Sequence, residues 1–187
     1  MQTEDIESLR YPIGKFSAPT EIPPENIANW IKTIENLPKQ VREAVHGMND
    51  MQLDTPYRPG GWTIRQVVHH LPDSHMNAYI RFKLSLTENN PTIRPYLENL
   101  WAELPDGKTA PVDFSLDLLE SIHKRWTYVL HHMSATDFSR TFYHPENKVT
   151  RSLGVNLALY DWHSRQDRKS TRLNSSHSSV SRMPSSA

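Results

Sequence analysis

Apolar residues recur at helical spacing in four stretches of the chain. The first starts at Asn26 and places Ile27, Trp30, Ile31, Ile34, Leu37, Val41, Val45 and Met48 along one face. Pro38 lies inside this run and removes one backbone donor, which predicts a kink. The second opens with a capping box, Thr63 with Gln66, in which each side chain satisfies a backbone donor at the helix start. Trp62 and Val67 flank it at the spacing of a hydrophobic staple. Its core face holds Ile64, Val67, Val68, Leu71, His75, Ala78 and Phe82, it extends to about Leu86, and Pro72 predicts a bend. The third carries Phe114, Leu118, Leu119, Ile122, Trp126, Val129, Leu130 and Met133, and the fourth begins near Leu153 with Leu157, Tyr160 and His163.

The segments between them are rich in proline. Residues 1–23 read as an irregular arm, and residues 87–113 as a long loop with one helical turn around Tyr96–Leu104. Arg140–His144 and Val149–Ser152 flank Pro145-Glu146-Asn147-Lys148, a pattern for a short hairpin. Four amphipathic segments predict an all-α fold, a four-helix bundle with long loops and a short β-hairpin before the last helix. Long connections predict a crossover rather than simple up-down-up-down order.

Beyond Gln166 the pattern stops. Residues 167–187, DRKSTRLNSSHSSVSRMPSSA, have no apolar period and predict a disordered tail. Asp167–His177 resembles, residue for residue, the translation of a DNA-sequencing adapter, so the tail is read as foreign to the gene. The domain is then 1–166, with its last helix truncated and its stability reduced.

Composition narrows the chemistry. The absence of Cys excludes disulfides, thiolate metal sites and cysteine nucleophiles. No stretch nears the roughly 18 consecutive apolar residues of a spanning helix. The first 30 residues show no secretory pattern, so a cytoplasmic protein without a membrane partner is expected. The whole chain has 21 basic and 21 acidic residues, but residues 1–166 are slightly acidic, which disfavours nucleic acid.

Ten His against six Gly direct attention to histidine, the commonest metal ligand and neutral-pH acid/base group. On the second helix, His75 falls at the centre of the core face and is expected to be buried with a partner. His69 points away and is expected to be solvated. His70 shares a polar stripe with Ser74, Asn77 and Arg81, a place where a pocket between helices can form. His163 lies on the inward stripe of the fourth helix with Asn156, Leu157 and Tyr160. His46, His123, His131, His132 and His144 are assigned no site role, and His177 lies in the tail. No general base stands out; Tyr57, Arg58 and Arg81 lie near the expected pocket.

Three segments, RYPIGKF (10–16), LDTPYRPGGWTIRQVVHHLPDSHMNAYIRFKLSLTE (53–88) and LYDWHSR (159–165), resemble the YfiT-type metal-dependent hydrolases of the DinB-like superfamily. The similarity spans roughly residues 10–166. It implies a DinB-like bundle that binds one divalent metal per subunit, zinc or nickel, through three His. The implied ligands are His70, His163 and a residue four positions later, where this chain has Asp167. It also implies a cytoplasmic homodimer acting on a small-molecule substrate. The alternatives are a metal-dependent low-molecular-weight thiol S-transferase and a non-catalytic metal-binding dimeric module. Pro72 departs from the family, which commonly has Ala there.

Overall fold

A computed structural model describes residue 11 and residues 13–179, with side chains described through Gln166. Four long helices form the body: α1 (Pro24–Val45), α3 (Ile64–Thr87), α6 (Val112–His131) and α8 (Leu153–Ser179). Short helices α2 (Asp50–Leu53), α4 (Glu98–Trp101), α5 (Pro105–Thr109) and α7 (Ala135–Phe138) lie in the connections. Strands β1 (Thr141–His144) and β2 (Val149–Ser152) make the expected antiparallel hairpin, pairing Phe142 with Arg151 and His144 with Val149.

Each boundary has a local cause. Thr63 Oγ1 accepts from the Gln66 amide at 3.1 Å, and Gln66 Oε1 accepts from the Thr63 amide at 3.0 Å, as the capping box requires. The same Gln66 side chain donates to the Ala102 carbonyl at 2.9 Å, tying the start of α3 to the connection after α4. α1 and α3 run through Pro38 and Pro72 without interruption. Trp62 does more than flank the cap: its ring packs on His70, with centres 4.7 Å apart.

α1 packs beside α6 and α8, and α3 packs beside the same two helices. α1 and α3 therefore face each other diagonally across the core, as do α6 and α8. Two apolar clusters fill the ends. One joins Ile31 and Ile34 of α1 to Phe82, Trp126, Leu130, Leu157 and Tyr160; the other joins Leu37, Val41 and Val45 to Ile64, Val68, Leu71, Leu116 and Leu119. This pairing makes α3 antiparallel to α1 and parallel to its neighbour α6. Parallel neighbours need a connection that returns the length of the bundle, and residues 88–111 supply it. The crossover expected from the loops is this segment.

Two expectations need correction. Phe114 and Leu118 do not face the core: they are 69% and 44% exposed, because α6 turns Leu116, Leu119, His123 and Trp126 inward instead. His69 is buried rather than solvated; its Nε2–H donates to the Ala110 carbonyl and its Nδ1 accepts from Ser115. The single turn expected within 96–104 is α4, and a second short helix, α5, follows it.

α8 also continues through Ser179, across part of the segment expected to be unstructured. Once the packed half of a helix has met the cost of nucleation, each further residue adds a bond at little cost, and no Gly or Pro intervenes before Pro184. Residues 180–187 lie outside the described part. Among the described residues, no helix is long and apolar enough to cross a membrane.

The N-terminal arm lies against α8. Trp162 Nε1–H donates to the Gly14 carbonyl at 3.0 Å, and Phe16 meets the Trp162 ring at 6.0 Å.

Candidate functional site

The capping box fixes the start of α3, and two turns further along it presents His70. The opposite run of α8 brings His163 to meet it. Their ring centres are 5.8 Å apart and tilted by 44°. Two imidazoles bound to one ion at nitrogen–metal distances of about 2 Å place ring centres roughly 5–6 Å apart. The spacing of this pair therefore suits a shared cation. Among the described residues no third His, Asp or Glu completes a metal-binding group. The expected third position, Asp167, lies beyond the described side chains.

Around the pair the rings are dense. His163 lies 5.8 Å from Tyr160 and 6.0 Å from His75, centre to centre. The Tyr160 hydroxyl donates to the Ser74 carbonyl at 3.0 Å, linking α8 to α3 one turn from His70. His75 is fully buried, as its position on the core face required. His123, which had been given no role, holds it: their rings stack at 4.8 Å, with His123 Nε2 2.9 Å from His75 Nδ1. His123 Nδ1 lies 2.6 Å from the Ile34 carbonyl and must carry the proton there, since a carbonyl only accepts. His123 Nε2 is then the acceptor, and His75 Nδ1–H the donor. Burial pushes both pKa values down, His123 to about 4, so both rings stay neutral at pH 7.

His163 opens onto a cavity of about 640 Å³. Its walls come from four elements: Ser74 and Arg81 of α3, Tyr96 of the crossover, His144 and Arg151 of the hairpin, and Tyr160 of α8. The volume falls in the range of small-molecule sites, about 300–1,000 Å³. Arg81 thus lies where the polar stripe of α3 placed it. His144 is a cavity-wall residue that single-residue reasoning passed over. Tyr57 and Arg58 do not reach the cavity walls; Arg58 Nε–H donates to the Tyr57 hydroxyl at 3.0 Å and its guanidinium lies over that ring.

One titrating group near the site was not apparent from the sequence. The Asp73 carboxyl, three residues after His70, is pushed up to about 6 by burial and by the nearby charge of Asp106. Asp106 belongs to α5, so only the returning crossover creates this environment.

The profile of the DinB superfamily matches residues 33–169. This chain belongs to that superfamily. Relatives within it include a Bacillus cereus (strain ATCC 10987) protein named "Putative metal-dependent hydrolase", 56% identical over 160 residues, covering 86% of this chain and 91% of the relative. A Bacillus thuringiensis subsp. konkukian protein with the same description is 55% identical over the same shares. Among solved structures, this DinB-superfamily chain superposes with a TM-score of 0.90 on YfiT from Bacillus subtilis, described as "a probable metal-dependent hydrolase with an unusual four-helix bundle topology". That match has 49% identity and covers 92% of this chain and 98% of the other. The diagonal order of the long helices and the parallel α3–α6 pair are consistent with that description of the topology.

Proposed function

We propose that this chain is a metal-dependent hydrolase of a small-molecule substrate, with a divalent ion, zinc or nickel, held by His70 and His163. The observation that carries the reading is the pair of imidazoles converging at 5.8 Å from two helices, one of them opening onto a cavity of about 640 Å³. The names of the close relatives point the same way. In this proposal the site is incomplete in this chain, because the position four residues after His163 is Asp167 rather than the third His that the family resemblance implies.

Held by His70 and His163, a divalent ion would supply Lewis-acid chemistry, activating a water and polarising the group under attack. The chain's own residues prepare the place. Trp62 covers one side of His70 and keeps bulk water from it. Tyr160, fixed on Ser74, orients the wall beside His163. Asp73, pushed up to about 6, can exchange a proton near neutral pH on the same helix as His70.

Elemental analysis after dialysis against zinc or nickel tests the ligand set. One ion per chain is expected, with His70→Ala and His163→Ala each weakening binding by at least about tenfold. Asp167→His should raise affinity. Stoichiometric metal in both alanine variants would overturn the assignment. Esters and amides should be cleaved without added thiol. Turnover that needs a low-molecular-weight thiol and an electrophile would assign S-transfer instead, and full metal occupancy with neither activity would leave a non-catalytic module. The homodimer belongs to the same proposal, supported by the exposed stripe of Phe114 and Leu118 on α6. Light scattering should return twice the chain mass.

A further inference from the structure

The cavity beside His163 carries an electrostatic imbalance that the metal reading does not use. Arg81 is 8% exposed, yet among the described residues its guanidinium makes no hydrogen bond or ion pair. Arg151, half-buried, is likewise without an ion pair among the described residues, and burial together with the charge of Arg81 lowers its pKa. His144 feels both arginines as well, and its pKa is lowered by burial and then by each of them. Buried guanidinium groups are ordinarily matched by carboxylates or phosphates. The carboxylates on this cavity, Glu98 and Glu146, lie at its exposed rim and bridge to neither arginine.

The fold builds this arrangement on purpose-shaped elements. Arg81 lies eleven residues after His70 on α3, three turns along the same stripe. Cross-strand partners share a face, so pairing Phe142 with Arg151 places Phe142, His144 and Arg151 on one side of the hairpin. That side packs inward: Phe142 is fully buried and His144 nearly so. Two like charges on separate elements thus converge on one space that also reaches His163.

We propose that Arg81 and Arg151 form an oxyanion subsite that takes a carboxylate or phosphate group of the substrate. The anion relieves the repulsion between the guanidinium groups, and their planar forks suit two-oxygen contacts. The substrate would then be an anionic small molecule, anchored at the hairpin end with its reacting bond at His163. The role in substrate choice rests on the hydrolase reading, but the binding event does not.

Calorimetric titration of inorganic phosphate, and separately of acetate, into the full chain in chloride buffer tests this, before and after chelator treatment. At least one oxyanion should bind in both preparations, and the one that binds assigns the group. Arg81→Gln and Arg151→Gln should each weaken binding at least tenfold, and Arg151→Lys should retain most of it. As a check that needs no variant, phosphate or acetate should protect Arg81 and Arg151 from phenylglyoxal, read by mass spectrometry of the peptides. Binding that persists in chelated protein supports the subsite even if the histidine pair proves to hold no ion. The proposal is overturned if neither anion binds, if the glutamine variants bind as wild type, or if binding occurs only with metal and neither arginine is protected.

Discussion

His123 and Asp73 are pushed in opposite senses by burial, and their effects on stability with pH oppose each other. The folded pKa of His123 is about 4, below its unfolded value of 6.5. The unfolded chain therefore binds the extra proton first, and stability is lost as pH falls from 6.5 toward 4. The shift corresponds to on the order of 3 kcal/mol, and the lowered His75 and His69 add in the same direction. Asp73 has a folded pKa of about 6 against an ordinary 3.8, so ionising it costs folded stability above that range. Asp73→Asn should accordingly raise the urea midpoint at pH 7.5, with the gain shrinking as pH falls through 6 to 4. Equal midpoints for the two proteins at pH 7.5 would refute the shift. None of this was legible residue by residue. The spacing placed His75 in the core, but its partner is 48 positions away, and Asp73 is perturbed by burial and by Asp106 of α5, which no local pattern connects to it.

At the scale of elements, the sequence spoke most clearly where chemistry is local. The Thr63–Gln66 box predicts the start of α3, and both of its hydrogen bonds are present. Thr63→Ala should cost about 1 kcal/mol in chemical denaturation. Gln66→Ala should cost more, because it also releases the Ala102 carbonyl from the crossover; a loss no larger than that of Thr63→Ala would show this tie to be idle. Periodicity was less informative for α6. Phe114, Leu118 and Ile122 form as regular a stripe as the true core face, and only the positions of α1 and α3 decide which side is covered. His69 shows the same limit: it lies off the apolar face of α3, yet α5 and α6 cover it.

The whole molecule adds what neither residues nor elements contain. His70 and His163 meet because α8 runs antiparallel to α3, and the cavity has a fourth wall because residues 88–111 return along the bundle. The quoted motifs connected the two histidines through resemblance; spacing alone put His70 on a polar flank and His163 on an inward face. Arg65 helps fix the same return path. Only 5% exposed, it donates to Asp50, Asp54 and the Ala110 carbonyl, joining α2, α3 and the end of α5. Arg65→Met should therefore loosen residues 102–111 as well as lower the unfolding midpoint, seen as faster amide hydrogen exchange in those peptides. Exchange confined to α2 would show that the crossover is held by other contacts.

The diagonal placement of α1 and α3 also bears on how the chain is made. A ribosome releases α1 first, but the helices it lies beside, α6 and α8, are the last two long helices to emerge. These two amphipathic helices, α1 and α3, leave the exit tunnel without being side-by-side neighbours, their apolar faces uncovered until α6 and α8 follow. Such an order delays native pairing and favours capture by holding chaperones during translation.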